Sequence, residues 1–273
     1  MSAGATVWGL PLTPLTRGEA VERVDELVRA RIPSYFITAN LHYAMLTAST
    51  PGLDRINRGA AFILADGAPL VVASRRTTNP VPERVAGSDL IYDLCELAAR
   101  RGHRVFLLGG PPGIADEAGR RLVARYPGLQ VVGTACPAAS ELQEPAVGAL
   151  IEQIRSTRPD LLFVALGQPK GEFWLARHGA ALGVPVAAQV GATLEFVAGR
   201  VRRAPKLFQR TGMEWAYRIY TDPRRLAPRY GKNALFLLRQ VVRDRLLRRH
   251  PSLRRPVGVD FALTPGEGAE VNP

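Results

Sequence analysis

The 273-residue chain is short of cysteine and has no long apolar run. No uninterrupted apolar stretch approaches the roughly 18–20 residues that a membrane-spanning helix needs. Residues 1–16 lack the basic start and the apolar block of a secretory signal. The only cysteines, Cys95 and Cys136, are too few for a disulfide framework and fit a reducing compartment. The sequence therefore predicts a cytoplasmic protein.

Several catalytic patterns are also missing. The sequence has neither a Gly-x-Ser-x-Gly elbow nor a Ser/His/Asp ordering, so hydrolase chemistry is unsupported. Its four histidines show no metal-ligand spacing with each other or with cysteine. There is no Asp-x-Asp pair that would hold a divalent ion on a nucleotide-sugar. We therefore expect neither a metal nor another cofactor.

The positive charge is concentrated in one segment. Residues 200–255 hold 17 Lys and Arg against 3 Asp and Glu, whereas the rest of the chain holds 19 basic and 21 acidic residues. The whole formal excess of +12 therefore comes from this basic segment. Such a segment attracts a polyanion. The three candidates are a nucleic acid, an anionic lipid surface and a phosphate-bearing substrate.

Short apolar runs alternate with helical patterns before the basic segment. The first helix is predicted to begin at Thr16, because Glu19 completes a capping box. Further helices are predicted near residues 41–59, 87–101, 113–125, 141–156 and 170–182. Strands are predicted at Tyr35–Ala39, Ala61–Ala65, Val105–Leu108, Gln130–Gly133, Leu161–Leu166 and Val186–Val190. The alternation is typical of an α/β fold, with a mostly parallel sheet and helices on both faces.

This pattern divides the chain into three parts. Residues 1–204 are predicted to form a Rossmann-like core, and residues 205–255 a basic helical appendage, with 207–250 helical. Residues 256–273 are predicted to be a disordered tail.

Small or polar residues follow five of the predicted strands. They are Asn40, Asp66-Gly67, Gly109-Gly110, Gly167-Gln168 and Gly191. Open parallel sheets bind ligands beyond the carboxyl ends of their strands, where such residues let a ligand approach the backbone. A single glycine after a strand is usually only a turn, but five such strand ends predict a ligand site.

The carboxylate of Asp66 is the strongest candidate for a general base. Placed directly after an apolar strand, it is suited to take a proton from an attacking hydroxyl. Capping of the following helix is the alternative. Arg84 is a candidate to clamp a phosphate or to orient Asp66, and a surface cluster with Glu83 and Asp89 is its alternative.

The remaining strand-to-helix loops give weaker signals. The glycine-rich turn after residue 108 suits phosphate or ribose contacts at a helix N-terminus, but it is neither a Walker loop nor GxGxxG. The loop after the predicted strand Leu161–Leu166 leads into a helix and carries Gln168, Lys170 and Glu172. Glu195, one turn after the last predicted strand, is placed to accept a hydrogen bond from a base or a ribose. A solvated loop residue is the alternative for each of these side chains.

The basic segment offers two further features. Arg218, Arg224 and Arg225 have planar guanidinium groups that suit a diphosphate, so they could replace a metal there. Farther along, an apolar stripe is flanked by arginines, which is typical of a membrane-surface helix or of a helix docked on a core. The stripe consists of Leu235, Leu238, Val242 and Leu246.

Taken together, the motifs resemble the WecG/TagA/CpsF glycosyltransferases over residues 7–238. The matching pieces are ITANLHY, ILADGAPLV, PERVAGSDL, VFLLGGPPG, YPGLQVVGT, RPDLLFVALGQPKGE, VGATLEFVAG and RRAPKLFQRTGMEWAYRIYTDPRR. The resemblance implies an inverting, metal-independent transfer of a sugar from a UDP-sugar to an undecaprenyl-diphosphate-linked saccharide in cell-surface polysaccharide synthesis. It also implies peripheral association with the anionic inner face of the cell membrane and no nucleic-acid partner. It leaves a homo-oligomer open.

The same resemblance assigns roles to individual residues. Asp66 is implied as the base, supported by Arg84, while Thr38 and Asn40 lie at the acceptor or sugar. The resemblance also implies that Arg218, Arg224 and Arg225 face the diphosphate of the donor. Two positions depart from the family pattern: Gly171 stands where a Gln is usual, and Glu195 where an Asp is usual. We expect either change to alter the donor sugar, with Gly171 leaving room for a bulkier one.

Two other functions stay open from the residues alone. A nucleic-acid-binding protein would explain the basic segment but not the strand-end residues. A nucleotide-binding oxidoreductase would explain the fold, but no acidic residue closes a second strand about twenty residues after the glycine-rich turn.

Overall fold

The structure, a computed structural model, describes residues 4–201, 204–205, 208 and 214–249. Its centre is a parallel sheet of six strands, which are β3 (Ser34–Ala39), β4 (Phe62–Ala65), β5 (Arg104–Gly109), β6 (Gln130–Ala135), β7 (Leu161–Ala165) and β8 (Val186–Gln189). A separate hairpin precedes it and is formed by β1 (Ala5–Val7) and β2 (Leu10–Leu12). The helices of the described residues are α1 (Arg17–Ala30), α2 (Leu41–Ser49), α3 (Leu53–Gly59), α4 (Ala68–Ser74), α5 (Gly87–Arg101), α6 (Ile114–Arg125), α7 (Val147–Ser156), α8 (Lys170–Leu182), α9 (Thr193–Val197), α10 (Glu214–Thr221) and α11 (Pro223–Arg249).

The central strands are buried on both faces, which explains why they read as continuous apolar runs. Along β5, Val105 and Leu107 pack in a hydrophobic cluster with residues of α1, α5 and α6. The alternate residues, Phe106 and Leu108, pack in a second cluster with residues of α7 and α8. Helices therefore cover both faces of the sheet, and the predicted α/β class is confirmed.

The sheet order is β4-β3-β8-β7-β5-β6. Each predicted strand is present within one or two residues of its predicted ends. The Thr16 capping box is also confirmed: the Glu19 N–H donates to the Thr16 hydroxyl at 3.2 Å, and the Thr16 N–H donates to the Glu19 carboxylate at 2.7 Å. The predicted helix at 41–59 is two helices instead, because Gly52 breaks the run with a φ of 87°.

The hairpin before α1 was not predicted. Its two-residue turn, Trp8-Gly9, has positive φ at both positions, and tryptophan is an unusual residue for such a turn. After β2, Thr13 meets the sheet at β4: its N–H donates to the Ile63 carbonyl at 2.8 Å, and its hydroxyl accepts from the Ile63 N–H at 3.1 Å. The N-terminal segment therefore lies along the outer edge of β4.

The C-terminal helices fall in two units. The first compact unit reaches Ala234 and the second begins at Leu235, within α11. Both α10 and α11 lie in the segment that was predicted to be helical. The predicted tail at 256–273 lies outside the described residues. In the part of the chain that the structure describes, every helix is too short or too polar to cross a membrane.

Candidate active site

Five neighbouring strands end along one edge of the sheet. In sheet order they are β4, β3, β8, β7 and β5. The candidate residues at or just after their ends are, in the same order, Asp66, Asn40, Gly191, Gly167 and Gly109. The parallel sheet therefore brings positions that are distant in sequence to the edge where open α/β sheets bind ligands.

Asp66 lies beside the end of β3. Its backbone N–H donates to the Ala39 carbonyl at 2.7 Å. The next residue, Gly67, is the N-cap of α4. Asp66 therefore lies one residue before the N-cap position that the alternative assigned to it. A Cβ at Gly67 would lie 3.8 Å from the Cα of Asn40, so the two loops are in van der Waals contact.

Asn40 is held in place by helix capping. Its side-chain oxygen accepts a hydrogen bond from the Tyr43 N–H at 3.1 Å, at the start of α2. This cap fixes the half-buried amide at the end of β3. Because the cap uses the oxygen, the amide N–H groups are the donors that Asn40 can offer to a ligand.

Thr38 is almost fully buried near the end of β3. Only 4% of its surface is exposed, and its hydroxyl donates to the Gln189 carbonyl at 3.2 Å. A Cβ at Gly87 would lie 2.9 Å from that hydroxyl, so α5 begins against it. Its own carbonyl accepts from the Gln168 side-chain amide at 3.4 Å. Thr38 thus joins β3, β8 and the loop after β7 beneath the strand ends.

The glycines at this edge differ in their surroundings. A Cβ at Gly109 would lie 2.6 Å from the Ala165 carbonyl oxygen, and one at Gly110 would lie 2.9 Å from Ile114, so both glycines are required by packing. Gly167 and Gly191 also have positive φ, but a Cβ at either would meet no atom within 4 Å. The loops after β7 and β8 therefore present open backbone that a ligand can approach.

Arg84 connects the sheet edge with α10. Next to it, the Val85 N–H donates to the Ala65 carbonyl at 2.9 Å, which places this segment beside the end of β4. The Arg84 guanidinium forms ion pairs with Asp89 at 3.8 Å and with Glu214 at 3.6 Å. Glu83, by contrast, accepts from the Arg17 N–H at 2.6 Å. The expected surface cluster of Arg84 therefore contains Asp89, but its second carboxylate comes from Glu214 of α10.

Glu172 is fully buried at the start of α8. Burial raises the pKa of its carboxyl to about 7, and the nearby amides of Gln168 and Gln189 only partly oppose that shift. Among the described residues, no donor meets either carboxyl oxygen with hydrogen-bond geometry. Its predicted neighbour, Lys170, is exposed. Glu172 therefore lies beneath the site surface.

The room expected beside Gly171 is already filled. A Cβ at this glycine would lie only 2.3 Å from the side-chain nitrogen of Gln189. The expectation that Gly171 leaves space for a bulkier donor sugar is therefore wrong. Gln189 gave no sequence signal, because it reads as the last residue of an apolar strand.

The remaining candidate residues are Glu195, Arg218, Arg224 and Arg225. Glu195 is half-buried on α9, after the open turn at Gly191. Arg224 is exposed in the first turn of α11. The side chains of Arg218 and Arg225 lie outside the described part of the structure. Their predicted contact with a diphosphate stays a prediction.

A contact between α2 and α11 was not predicted. The Nδ1 of His42 lies 3.1 Å from the side-chain oxygen of Asn233, which is 4% exposed. Burial lowers the pKa of His42, and the charges of Arg229 and Lys232 lower it further. The neutral imidazole, with its proton on Nδ1, therefore donates to Asn233. His42 belongs to the ITANLHY motif but was considered only as a metal ligand, and Asn233 lies beyond the last matching motif.

A carboxylate, an amide and open glycine turns at the carboxyl edge of a parallel sheet define an enzyme site for a small polar substrate. The comparisons with known proteins make this enzyme a glycosyltransferase. Residues 5–251 match the Glycosyl transferase WecG/TagA/CpsF family, and the chain belongs to that family. The resemblance found in its motifs is confirmed.

Two relatives illustrate the match. An N-acetylglucosaminyldiphosphoundecaprenol N-acetyl-beta-D-mannosaminyltransferase of Bacillus spizizenii is 31% identical over 192 residues, which cover 70% of this chain and 73% of the relative. A Staphylococcus aureus protein with the same name is 32% identical over 195 residues, which cover 70% of this chain and 74% of the relative.

Proposed function

We propose that the enzyme transfers a sugar from a UDP-sugar to an undecaprenyl-diphosphate-linked saccharide, with inversion at the anomeric carbon. The position of Asp66 carries this proposal. Its carboxylate follows β4 at the carboxyl edge of the sheet, beside Asn40. A base there deprotonates the acceptor hydroxyl, which displaces UDP directly.

The donor is proposed to lie over the loops after β7 and β8. Gly167 and Gly191 support this placement, because a Cβ at either glycine would meet no atom within 4 Å, which leaves their backbone open to a diphosphate. The basic segment then offsets the charge that develops on the leaving UDP. Arg224 is exposed in the first turn of α11, and we assign Arg218 and Arg225 the same role. In this mechanism arginines act where a metal would otherwise be needed.

The two relatives guide the choice of substrates. Both are named for N-acetylmannosamine transfer onto N-acetylglucosaminyl-diphospho-undecaprenol. UDP-N-acetylmannosamine is therefore the first donor to test, followed by other N-acetylhexosamines and hexoses. A lipid-diphosphate N-acetylglucosamine with a short chain is the matching acceptor.

We further propose that the basic segment holds the enzyme on the inner face of the cell membrane. In α11, Leu235, Leu238, Val242 and Leu246 are each about half exposed, and Arg239 and Arg243 are exposed between them. An exposed apolar stripe with flanking arginines is suited to an anionic bilayer. Each basic residue near such a surface contributes about 1 kcal/mol. Nucleic-acid binding would not need the stripe.

Replacement of the proposed base tests the mechanism. Asp66→Asn should keep the fold and UDP binding but lower turnover by about 10²-fold or more, since only the proton acceptor is lost. Turnover is measured as UDP released from the donor in the presence of acceptor. Asp54→Asn is the matched control, because Asp54 is exposed on α3 and pairs with Arg58 of the same helix.

Two results would count against the proposal. Near-wild-type turnover of Asp66→Asn excludes this residue as the base. Stabilisation by duplex DNA or by NAD(P), but not by UDP, would favour one of the other two functions, because a ligand raises the melting temperature of the fold that binds it.

A further inference from the structure

Two polar side chains are fully buried where β8 meets α8. They are Gln189, the last residue of β8, and Glu172, in the first turn of α8. Among the described residues, no group meets the Gln189 amide or the Glu172 carboxyl with full hydrogen-bond geometry, although the amides of Gln168 and Gln189 lie near the carboxyl. Leaving such groups unpaired in a core costs free energy, so a buried unpaired polar group in a native fold requires an explanation.

The position of the Gln189 amide depends on the glycine at 171. A Cβ on Gly171 would lie 2.3 Å from Nε2, 2.6 Å from Cδ and 2.8 Å from Oε1 of Gln189. All three distances are shorter than real Cβ contacts. A side chain at position 171 and the observed rotamer of Gln189 therefore exclude each other, and α8 accepts the amide from β8 only because residue 171 is glycine.

These groups lie directly beneath the proposed donor site. The Gln189 carbonyl accepts from the Thr38 hydroxyl at 3.2 Å, and the Thr38 carbonyl accepts from the Gln168 amide at 3.4 Å. Gln168 itself is only half-buried and follows Gly167, the open turn after β7. These two bonds use the backbone carbonyls of Gln189 and Thr38, whereas the side chains meet at Glu172, because the amides of Gln168 and Gln189 both lie close enough to its carboxyl to oppose the rise in its pKa.

We propose that Glu172 and Gln189 are positioning residues for sugar transfer, and that they hold the Gln168 amide in the orientation that the donor requires. This inference rests on the proposed function. The Glu172 carboxyl lies near the amides of both Gln168 and Gln189, so a change at Glu172 or at Gln189 alters the polar groups that surround the Gln168 amide. Neither residue touches the substrate, because both are fully buried.

The alternative is that Glu172 and Gln189 only fill space in the core. Moving the amide group from residue 189 of β8 to residue 171 of α8 distinguishes the two possibilities. Gln189→Ala should lower kcat by about tenfold or more, while the KM for the UDP-sugar stays within about twofold, because misalignment affects the reacting geometry more than binding. Adding Gly171→Gln to Gln189→Ala supplies an amide to the same volume from α8. This double variant should recover most of the lost kcat.

The matched control is Gly171→Met in the Gln189→Ala background. Methionine has nearly the volume of glutamine but lacks its amide, so it should restore the melting temperature without restoring kcat. Gly171→Gln alone should lower the melting temperature, since it places two side chains in one volume. Glu172→Gln keeps the shape of the residue and should fold, and it should lower kcat with little change in KM.

The outcomes separate the inference from the proposed function. Recovery of kcat by glutamine but not by methionine at position 171 supports positioning. Equal recovery by both, recovery by neither in folded protein, or full kcat in Gln189→Ala would each overturn it. A wild-type enzyme that releases no UDP from any tested donor would instead refute the proposed function, and the inference with it.

Discussion

The carboxyl edge of the sheet and the C-terminal helices are fixed by different kinds of interaction. At the sheet edge, strand register and backbone hydrogen bonds set the positions of Asp66 and Asn40, as in the 2.7 Å contact from the Asp66 N–H to Ala39. By contrast, α10 and the first part of α11 meet the core through individual polar side chains, including the Arg84–Glu214 and His42–Asn233 contacts. The difference indicates that one half of the proposed site is preformed, while the other half depends on pairs that single substitutions can remove.

After the replacement of Asp66, the largest effect is expected from Glu172→Gln, which changes the free energy of unfolding. Burial raises the pKa of Glu172 in the folded enzyme from the ordinary 4.5 to about 7, so the folded state binds the proton more tightly than the unfolded state does. The contribution of Glu172 to stability is therefore greatest below pH 4.5 and is lost as the pH rises through 7, by about 3 kcal/mol in total. Glu172→Gln should remove this loss and be more stable than wild type at pH 8, but not at pH 4.5.

Urea unfolding at both pH values measures this effect. Glu152→Gln, at an exposed position on α7, is the control for the loss of a carboxylate. Equal stability of wild type and Glu172→Gln at pH 8 would show that the carboxyl of Glu172 is not buried in a tightly packed, preformed sheet edge.

The membrane proposal predicts the next largest effect. Leu238→Ser with Val242→Ser should weaken binding to anionic vesicles by about tenfold, because two apolar side chains no longer enter the bilayer interface. Co-sedimentation at several salt concentrations measures the binding. Ile32→Ser is the control, because Ile32 is 68% exposed in the loop before β3. Unchanged vesicle binding by the double variant would place the membrane contact elsewhere.

A smaller effect is expected where the two regions meet. Glu214→Gln removes the ion pair with Arg84, which is partly exposed and contributes less than about 1 kcal/mol. Turnover should fall only a few-fold. A loss of turnover as large as that of Asp66→Asn would mean that Glu214 takes part in the chemistry directly. The catalytic groups would then come from α10 as well as from the sheet edge.

No effect at all is expected from chelation. In the part of the chain that the structure describes, no three His, Cys, Asp or Glu side chains come together as metal ligands. We therefore predict that UDP release continues at the same rate in excess EDTA. If EDTA stops the reaction and added Mn²⁺ or Mg²⁺ restores it, arginines do not replace a metal at the diphosphate.

The sequence predicted what depends on local pattern. Apolar runs identified all six sheet strands, and their parallel arrangement then placed Asp66 and Asn40 at one edge. The Trp8-Gly9 hairpin was missed because its strands are only three residues long and its turn lacks the usual residues.

Long-range packing was beyond the reach of local pattern. The Gln189 side chain fills the space beside Gly171, and Glu214 pairs with Arg84, although each pair is far apart in sequence. Such contacts depend on where separate elements meet, which periodicity and turn signals do not encode. For the same reason Glu172 was expected at the site surface, whereas it is fully buried.

The segment that follows the hairpin also protects the sheet against aggregation. An edge strand with unpaired backbone groups is a template for strand addition by another chain. At β4, Thr13 uses both its N–H and its hydroxyl on Ile63, three residues before Asp66. A neighbouring molecule therefore cannot extend the sheet at this point by pairing with Ile63. The arrangement keeps the strand that carries the proposed base from serving as an aggregation surface.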